Sequence, residues 1–359
     1  MNCSVETELS FADLSKNIFE PLRNQRYPIS ATIELTERCN YNCTQCFINQ
    51  SINDPHARQK EMTTAQVFHV IDQLAEAGTL FFLMTGGEIF ARSDFIEIFE
   101  YSRKKGLIVT LFSNGSMLTP KIAAVLKEYG IRGLEVSLYG ATRETFDGVT
   151  RLPGSYDRCM RGIQTALAYE LPLSLKTFII HSNKHELAQI RAFAQKNELA
   201  FRFDNVMIPR MDGNDNSEQL QLGIEEIIQM DMDDPERVSA WKNVLEERQG
   251  WEIDREALYN CGAGHHSMHI DSFGNLSPCA LVRTPCYNLL SMSFEQAWEE
   301  MGYVRTLKHT VKTECAECEH AMFCTQCPGW SLNVMNDLET PVPFICELTK
   351  QRMKRVQSL

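Results

Sequence analysis

The segment from about residue 30 to residue 208 alternates short apolar runs with longer stretches of helical periodicity. The apolar runs are nearly continuous, which is typical of parallel strands covered on both faces. Successive strand–helix units wind into a parallel, right-handed sheet. Six units rather than eight favour an open, partial barrel with ligands at the carboxyl ends of its strands. The predicted strands cover 31–37, 79–85, 107–113, 133–139, 173–180 and 201–208, and the predicted helices cover 63–78, 92–106, 119–130, 156–170 and 183–197.

After this barrel the residue composition and periodicity of the sequence change twice. A strongly acidic helical pattern over 224–250 predicts a solvated connector. From 259 the sequence is rich in Cys, Gly and His with few long periodic elements, so we expect a small domain held by something other than a large apolar core. The predicted organisation is an N-terminal extension over 1–29, a barrel over 30–210, an acidic helical connector over 211–258, a Cys-rich domain over 259–350 and a C-terminal tail over 351–359.

Composition narrows the range of partners and of metal chemistry. A formal net charge of −12 argues against a surface that follows nucleic-acid phosphates. No apolar run approaches the roughly 20 residues of a membrane span, and the N-terminus lacks a signal pattern, so we expect a cytoplasmic protein. Cytosolic thiols stay reduced, so the 13 cysteines are not expected to form disulfides. Most of them lie in two groups, within 39–46 and within 261–346, which indicates a metal or catalysis.

The first group follows the first predicted strand and consists of Cys39, Cys43 and Cys46. A structural zinc site is usually closed by four ligands, and no fourth Cys or His lies nearby in the sequence. Three thiolates on a cubane iron–sulfur cluster instead leave one iron with an open coordination position. The sequence therefore predicts an iron with room for a ligand on this loop.

Further short segments follow the later strands. They are "TGGE" (85–88) after the second strand, "SNG" (113–115) after the third, "VSLYG" (136–140) at the fourth, and "TRLPGSYD" (150–157). With the Cys-x₃-Cys-x₂-Cys loop, this order resembles the radical S-adenosylmethionine (SAM) superfamily. The chain departs from that family's pattern at Gln45, where an aromatic residue is usual and Phe47 follows instead, and at Ile89, where proline is usual.

The resemblance implies an α/β fold, a partial (β/α)6 TIM-like barrel, and an enzyme. Cys39, Cys43 and Cys46 would hold a [4Fe-4S] cluster whose open iron binds the amino and carboxylate groups of SAM. Glu88 and Arg151 would orient those two groups by charge-assisted hydrogen bonds. The other SAM contacts that the resemblance implies are Phe47, Thr85, Gly86, Gly87, Ser113, Asn114 and Ser137.

The second group of cysteines resembles the SPASM domain of radical SAM enzymes, which carries two auxiliary iron–sulfur clusters, although Cys-x-x-Cys doublets are also common zinc ligands. The family's pairing assigns Cys261, Cys279 and Cys327 to the first auxiliary cluster. That site lacks a fourth cysteine: it is open to substrate, closed by Cys286, or closed by His265 or His266. The second auxiliary cluster would be held by Cys315, Cys318, Cys324 and Cys346.

The resemblance implies reductive cleavage of SAM to a 5′-deoxyadenosyl radical, which abstracts hydrogen from a residue of a peptide or protein. The product would be a crosslinked, epimerised or oxidised residue. Expected partners are a separate leader-recognition protein and a flavodoxin- or ferredoxin-type electron donor. The alternatives are a small-molecule substrate, such as a haem precursor or aminosugar, and a non-catalytic zinc-binding module. Candidate substrate-facing residues near strands four to six are Tyr139, Lys176, Arg202 and Asp204.

Overall fold

The computed structural model describes residues 25–48, 50–208, 210, 217–247 and 253–358. Its core is a nine-stranded sheet flanked by helices. In chain order, its strands are β1 Ser30–Thr36, β2 Phe81–Gly86, β3 Ile108–Ser113, β4 Gly133–Ser137, β5 Leu173–Phe178, β6 Ala200–Asp204, β7 Ser267–Ile270, β8 Asn275–Ser277 and β9 Tyr287–Asn288. Their spatial order is β9-β8-β7-β1-β2-β3-β4-β5-β6.

The six predicted strands correspond to β1 to β6, and each pairs in parallel with the next. On β1, Ile33 and Leu35 are fully buried in the main apolar core, so the intervening Glu34 faces the opposite side of the sheet. The same alternation places polar side chains of β4 to β6 on that inner side. The α/β class and the partial barrel are confirmed.

Strands β7 to β9 extend the sheet into the Cys-rich region. Strand β7 pairs in parallel with β1, and β8 and β9 continue the sheet as antiparallel neighbours. Met268 and Ile270 of β7 join the main core, as do Phe294 and Trp298 of a later helix. The expectation that this region lacks a large apolar core is therefore wrong for its first half. Its short strands pack their apolar side chains into the main core of the barrel. The domain boundaries themselves stay predictions.

The helices that cover the barrel follow the expected pattern of caps and apolar faces. For example, Thr63 caps the second helix in a capping box with Gln66, and Val67, Val70, Ile71 and Leu74 form its buried face. Burying each of these four side chains contributes about 1.5–3 kcal/mol. The barrel helices are α1 Pro55–Lys60, α2 Thr64–Glu76, α3 Phe95–Lys104, α4 Pro120–Tyr129, α5 Arg143–Thr150, α6 Ser155–Ala168 and α7 Leu187–Lys196.

The structure adds detail to two of the later segments. Within the helical pattern over 224–250, the described residues form two helices, because Pro235 begins a new one, and the burial of Ile227 and Ile228 means that the segment is not wholly solvated. The tail predicted over 351–359 is helical through Gln357, with Met353 and Val356 buried. These helices are α8 Ser217–Leu220, α9 Ile224–Met232, α10 Pro235–Glu247, α11 Phe294–Met301, α12 Pro328–Met335 and α13 Pro343–Gln357.

Candidate active site

The carboxyl ends of β1 and β2 approach each other closely just before the first cysteine. The Gly87 N–H donates to the Thr36 carbonyl at 2.7 Å, and the Glu88 N–H donates to the Arg38 carbonyl at 2.9 Å. Gly86 has φ +131°, and a Cβ on Gly86 or Gly87 would overlap the carbonyl oxygen of Thr36 or Arg38. The Gly-Gly pair is therefore needed to bring β2 against the segment that leads into Cys39.

Replacing Gly87 by Ala should destabilise the protein by about 1–3 kcal/mol, because the added methyl group meets backbone atoms that have no room to move. Gly148, on α5, is the matched control, since a Cβ there meets nothing within 4 Å. G148A should be neutral or slightly stabilising, because Ala favours a helix over Gly. Thermal unfolding of both variants measures the difference, and an equal midpoint for G87A and the wild type would contradict this role.

Glu88 ties the ends of β2 and β3 together. Its buried carboxylate accepts hydrogen bonds from the Ser113 hydroxyl (2.8 and 3.0 Å), the Asn114 N–H (2.8 Å) and the Phe90 N–H (3.1 Å). Burial raises the pKa of Glu88 to about 7, although these hydrogen bonds oppose the shift. The contacts of this side chain within the described residues make it a positioning group for the Ser-Asn-Gly turn.

The cysteine loop is anchored to the end of α5. Backbone N–H groups of Asn42 and Thr44 donate to the carbonyls of Thr150 (3.1 Å) and Val149 (2.9 Å). The next residue, Arg151, is exposed and has a left-handed backbone conformation (φ 53°). Non-glycine residues in that conformation are strained and occur often at functional sites. The helix α5, which sequence patterning missed, therefore positions Arg151 beside the loop.

The three thiols of this loop lie close enough to influence one another electrostatically. Burial raises the pKa of the Cys39 thiol to about 12 and that of Cys43 well above its ordinary value, and the other cysteines push the Cys43 pKa in the same direction. Arg151 pulls the Cys43 pKa down. Buried thiols that sit together become stable thiolates when cationic metal binds them, so this donor set fits an iron–sulfur cluster.

Some of the other predicted SAM-binding residues already have protein partners. The Asn114 side-chain amide donates to Asn40 Oδ1 (2.9 Å) and to Cys39 Sγ (3.6 Å), so Asn114 supports the cysteine loop. The Nε2 atom of Gln45 is buried and has no hydrogen-bond partner among the described residues. Thr85 and Phe47 are half-buried, whereas Ser137 is buried at the end of β4.

Tyr139 links the cysteine loop to the interior of the barrel. Burial raises the pKa of Tyr139 well above its ordinary value, and the thiols of Cys43, Cys46 and Cys39 push it further, whereas a hydrogen bond with Ser137 opposes them. The Tyr139 hydroxyl therefore lies within electrostatic reach of the three cysteines. Of the four predicted substrate-facing residues, Tyr139 is the one that the structure brings to the cysteine loop.

The other three predicted substrate-facing residues form a network on the inner wall of β4 to β6. Arg202 donates to both carboxylate oxygens of Glu135, each at 2.7 Å, and to Asp204 at 2.9 Å. The Lys176 ammonium lies 3.2 Å from Glu135 and 3.4 Å from the ring centroid of Phe112. Burial lowers the pKa of Lys176 to about 8, although Glu135 opposes the shift. Glu135 was missed from the sequence, although a single charge inside an apolar strand run could have indicated it.

A second ion network lies on the opposite wall, between β1 and the Cys-rich region. Arg283 donates to both oxygens of Glu34, at 2.9 and 2.6 Å, and His269 Nε2 lies 3.2 Å from Glu34. The side chains of Glu34 and His269 are each 2% exposed. Arg283 belongs to the loop that follows Cys279, so the barrel and that loop are joined by a buried ion pair.

The neighbours of Cys279 and Cys346 agree with the family pairing, whereas Cys327 has neighbours in both groups, Cys261 and Cys324, so the pairing stays a prediction. The electrostatic neighbours of Cys279 include Cys327 and Cys261, whereas those of Cys346 are Cys315, Cys324 and Cys318. A cavity of about 1000 Å³ is lined by six cysteines: Cys261, Cys315, Cys318, Cys324, Cys327 and Cys346.

Tyr259, which sequence analysis missed, is a neighbour of Cys261, Cys279 and Cys327. The side chain of Tyr259 is 3% exposed, and the thiols of Cys279, Cys261 and Cys327 all raise its pKa after burial. Cys286 is exposed on the surface, whereas the rings of His265 and His266 lie near Arg305. Within the described ranges, no three Cys, His, Asp or Glu side chains converge on a single-ion site.

The family models match the two halves of this arrangement. The model described as "Radical SAM superfamily" matches residues 33–194, and the SPASM model, described as "Iron-sulfur cluster-binding domain", matches residues 261–320. The chain belongs to the radical SAM superfamily. It is an enzyme of the SPASM-containing type, and these domains bind a [4Fe-4S] cluster, SAM and auxiliary iron–sulfur clusters. No helix in the described part of the chain is long and apolar enough to span a membrane.

Relatives of this radical SAM chain differ in what they make. It is 27% identical to the AdoMet-dependent heme synthase of Methanosarcina barkeri, with 87% of this chain and 94% of the relative covered. It is also 27% identical to the mycofactocin maturase MftC of Mycobacterium tuberculosis, with 83% and 77% covered. Streptococcus suis SuiB bound to precursor peptide SuiA has a TM-score of 0.71 at 14% identity, with 97% and 84% covered. Native anSMEcpe with bound AdoMet has a TM-score of 0.71 at 15% identity, with 92% and 98% covered. At 14% and 15% identity, these two solved structures show that this chain shares their fold.

Proposed function

We propose that this radical SAM enzyme modifies a residue of a peptide or protein. The observation that carries the proposal is the charge balance of the barrel's inner wall. On one wall Lys176 and Arg202 are paired with Glu135, and on the opposite wall Arg283, from the loop after Cys279, is paired with Glu34. A substrate with several carboxylates would need unpaired cations, because buried charges must be compensated. An inner surface whose positive charges are already paired with carboxylates instead suits a peptide segment of low net charge.

In this proposal Cys39, Cys43 and Cys46 hold the [4Fe-4S] cluster that binds SAM. When bound, the reduced cluster and SAM supply a 5′-deoxyadenosyl radical that abstracts hydrogen from the substrate. Arg151, which is exposed beside Cys43, pairs with the SAM carboxylate. Glu88 fixes the loops around this site and orients the amino group of SAM. Phe47, Thr85, Gly86, Gly87, Ser113, Asn114 and Ser137 remain the proposed lining of the SAM site.

The substrate enters beside Tyr139, which interacts electrostatically with the three cysteines, and rests against the wall of Lys176, Arg202 and Asp204. The first auxiliary cluster would use Cys261, Cys279 and Cys327, and the second would use Cys315, Cys318, Cys324 and Cys346. The structure of SuiB with its precursor peptide bound supports a peptide as substrate class. A separate leader-recognition protein and a flavodoxin- or ferredoxin-type electron donor remain predictions.

A haem precursor is the second candidate substrate. It is favoured by the similarity to a heme synthase along most of both chains. Such a porphyrin carries several carboxylates, and these would have to displace the intramolecular partners of Arg202 or Arg283. The cost of breaking the pair of Arg283 with the buried carboxylate of Glu34 argues for the peptide.

One experiment compares the two candidates directly. The reconstituted, reduced enzyme is incubated with SAM and either short peptides encoded beside its gene or an iron porphyrin bearing propionates. We expect 5′-deoxyadenosine to form in step with a mass change in a peptide, and not with decarboxylation of the porphyrin. Turnover of the porphyrin alone would refute the peptide proposal in favour of the second candidate.

A further inference from the structure

The sulfur of Cys324 accepts two hydrogen bonds in the Cys-rich region. The Gln326 N–H lies 3.4 Å from Cys324 Sγ, and the Thr349 hydroxyl lies 3.4 Å from the same atom. Thr349 is only 4% exposed, so its hydroxyl has little access to water. A neutral thiol is a weak acceptor, whereas bonds to an ionised acceptor are about twice as strong as neutral ones. A buried hydroxyl on this sulfur therefore fits a sulfur that is negatively charged as a metal ligand.

Helix α13 explains why the hydroxyl lies there. Cys346 and Thr349 are three residues apart, so they share one face of the helix. Both line the cavity that the later cysteines surround. One helix thus brings a proposed ligand and a hydrogen-bond donor to the same site.

The other donor to Cys324 is the Gln326 N–H, and hydrogen bonds of the Gln326 side chain hold that residue in place. Gln326 Nε2 donates to Ser331 Oγ at 2.7 Å, and Gln326 Oε1 accepts from the Val342 N–H at 3.2 Å. These contacts join the turn after Cys324 to α12 and to the start of α13. Both donors to Cys324 are consequently fixed by packing within the protein, before any cluster is bound.

We propose that Thr349 is a positioning residue of the second auxiliary cluster, whose hydroxyl bonds to Cys324 and raises the cluster's reduction potential. The inference rests on the proposed function, because it takes Cys315, Cys318, Cys324 and Cys346 as the cluster's ligands. A hydrogen bond to a ligating sulfur offsets part of its negative charge and stabilises the more negative, reduced cluster. The cluster becomes a better electron acceptor for that reason.

The test compares T349V, which removes the hydroxyl at nearly constant shape, with T349S, which keeps it. The full chain is reconstituted anaerobically, and the reduction potential of each cluster is measured by a redox titration followed by electron paramagnetic resonance. We expect the second auxiliary cluster to have a lower potential in T349V and a wild-type potential in T349S. The other clusters should not shift. An unchanged potential in an iron-replete T349V, or an equal shift in T349S, overturns the proposal.

Two further measurements separate this inference from the assignment on which it rests. The variant C346A should lose about four iron per chain, and if it loses none, the assignment of the quartet has failed whatever the potentials are. If T349V does not take up iron, wild-type protein in D₂O is examined by electron–nuclear double resonance. A deuteron of a side-chain hydroxyl should couple to the second cluster there, and its absence refutes the role of Thr349.

Discussion

Replacing Cys39, Cys43 and Cys46 together by alanine should reduce 5′-deoxyadenosine formation to background. Iron per chain should fall from about twelve to about eight, because one of three proposed cubane clusters loses all its protein ligands. Cys43 interacts electrostatically with Cys46, Cys39 and Arg151, whereas the neighbours of Cys279 and Cys346 are other cysteines of the later region. Anaerobic reconstitution followed by iron analysis and chromatography of the nucleoside products measures both effects.

Two single variants serve as controls for this result. Cys159 is fully buried in the barrel core, so C159A should keep its iron and change only stability. Cys286 is exposed on the surface, so C286A should also keep its iron if the first auxiliary site does not use it. Undiminished iron or continued SAM cleavage in the triple variant would show that the cluster lies elsewhere. Loss of iron in C286A would instead assign Cys286 to the first auxiliary cluster.

The barrel was predictable because its signals are local. Each of the strands β1 to β6 is a nearly continuous apolar run, and α2 has both a Thr cap and a regular apolar face. The position of the cysteine loop followed from the rule that parallel strands gather ligands at their carboxyl ends. Gly86 and Gly87 were identified as ligand-binding residues, and the structure adds the steric reason for the pair.

The extension of the sheet by β7 could not be predicted in the same way. Strand β7 is four residues long, and it pairs with β1 more than 230 residues earlier in the chain. Alternation over four residues is too short to be distinguished from loop sequence, and a long-range pairing leaves no local pattern. Helix α5 was missed for a related reason, since its eight residues present a short apolar face of Phe146 and Val149.

The inner wall of the barrel was only partly predictable. Lys176 and Arg202 were identified as inward-facing polar residues, but their carboxylate partner Glu135 was not. Side-chain alternation predicts which residues share a face, whereas the pairing depends on the registers of β4, β5 and β6. Glu34 and Arg283 lie 249 residues apart, so sequence patterning had no means of pairing them.

Replacing Arg283 by Met should destabilise the protein by about 3–5 kcal/mol, because it leaves the carboxylate of Glu34 buried without its bidentate partner. In the wild type, burial pushes the pKa of Glu34 up, but the contacts with His269 and with the bidentate Arg283 outweigh it and lower the pKa. The lowered pKa means that the wild-type pair contributes stability above the ordinary pKa of Glu, and loses it as pH falls through the folded-state value. In R283M the pKa of Glu34 should rise instead, so the gap between variant and wild type should narrow as the pH falls.

Denaturant unfolding of R283M at several pH values measures this effect, with two further variants as controls. The double variant E34Q/R283M removes both charges and should recover most of the lost stability, because no buried charge is left unpaired. The ion pair of Arg143 and Asp157 is exposed at 71% and 42%, so R143M should cost less than about 1 kcal/mol. If R283M costs no more than R143M, the pair does not join the barrel to the loop after Cys279. If it costs several kcal/mol at neutral pH and less in acid, that buried pair holds the cysteine-bearing loop against β1.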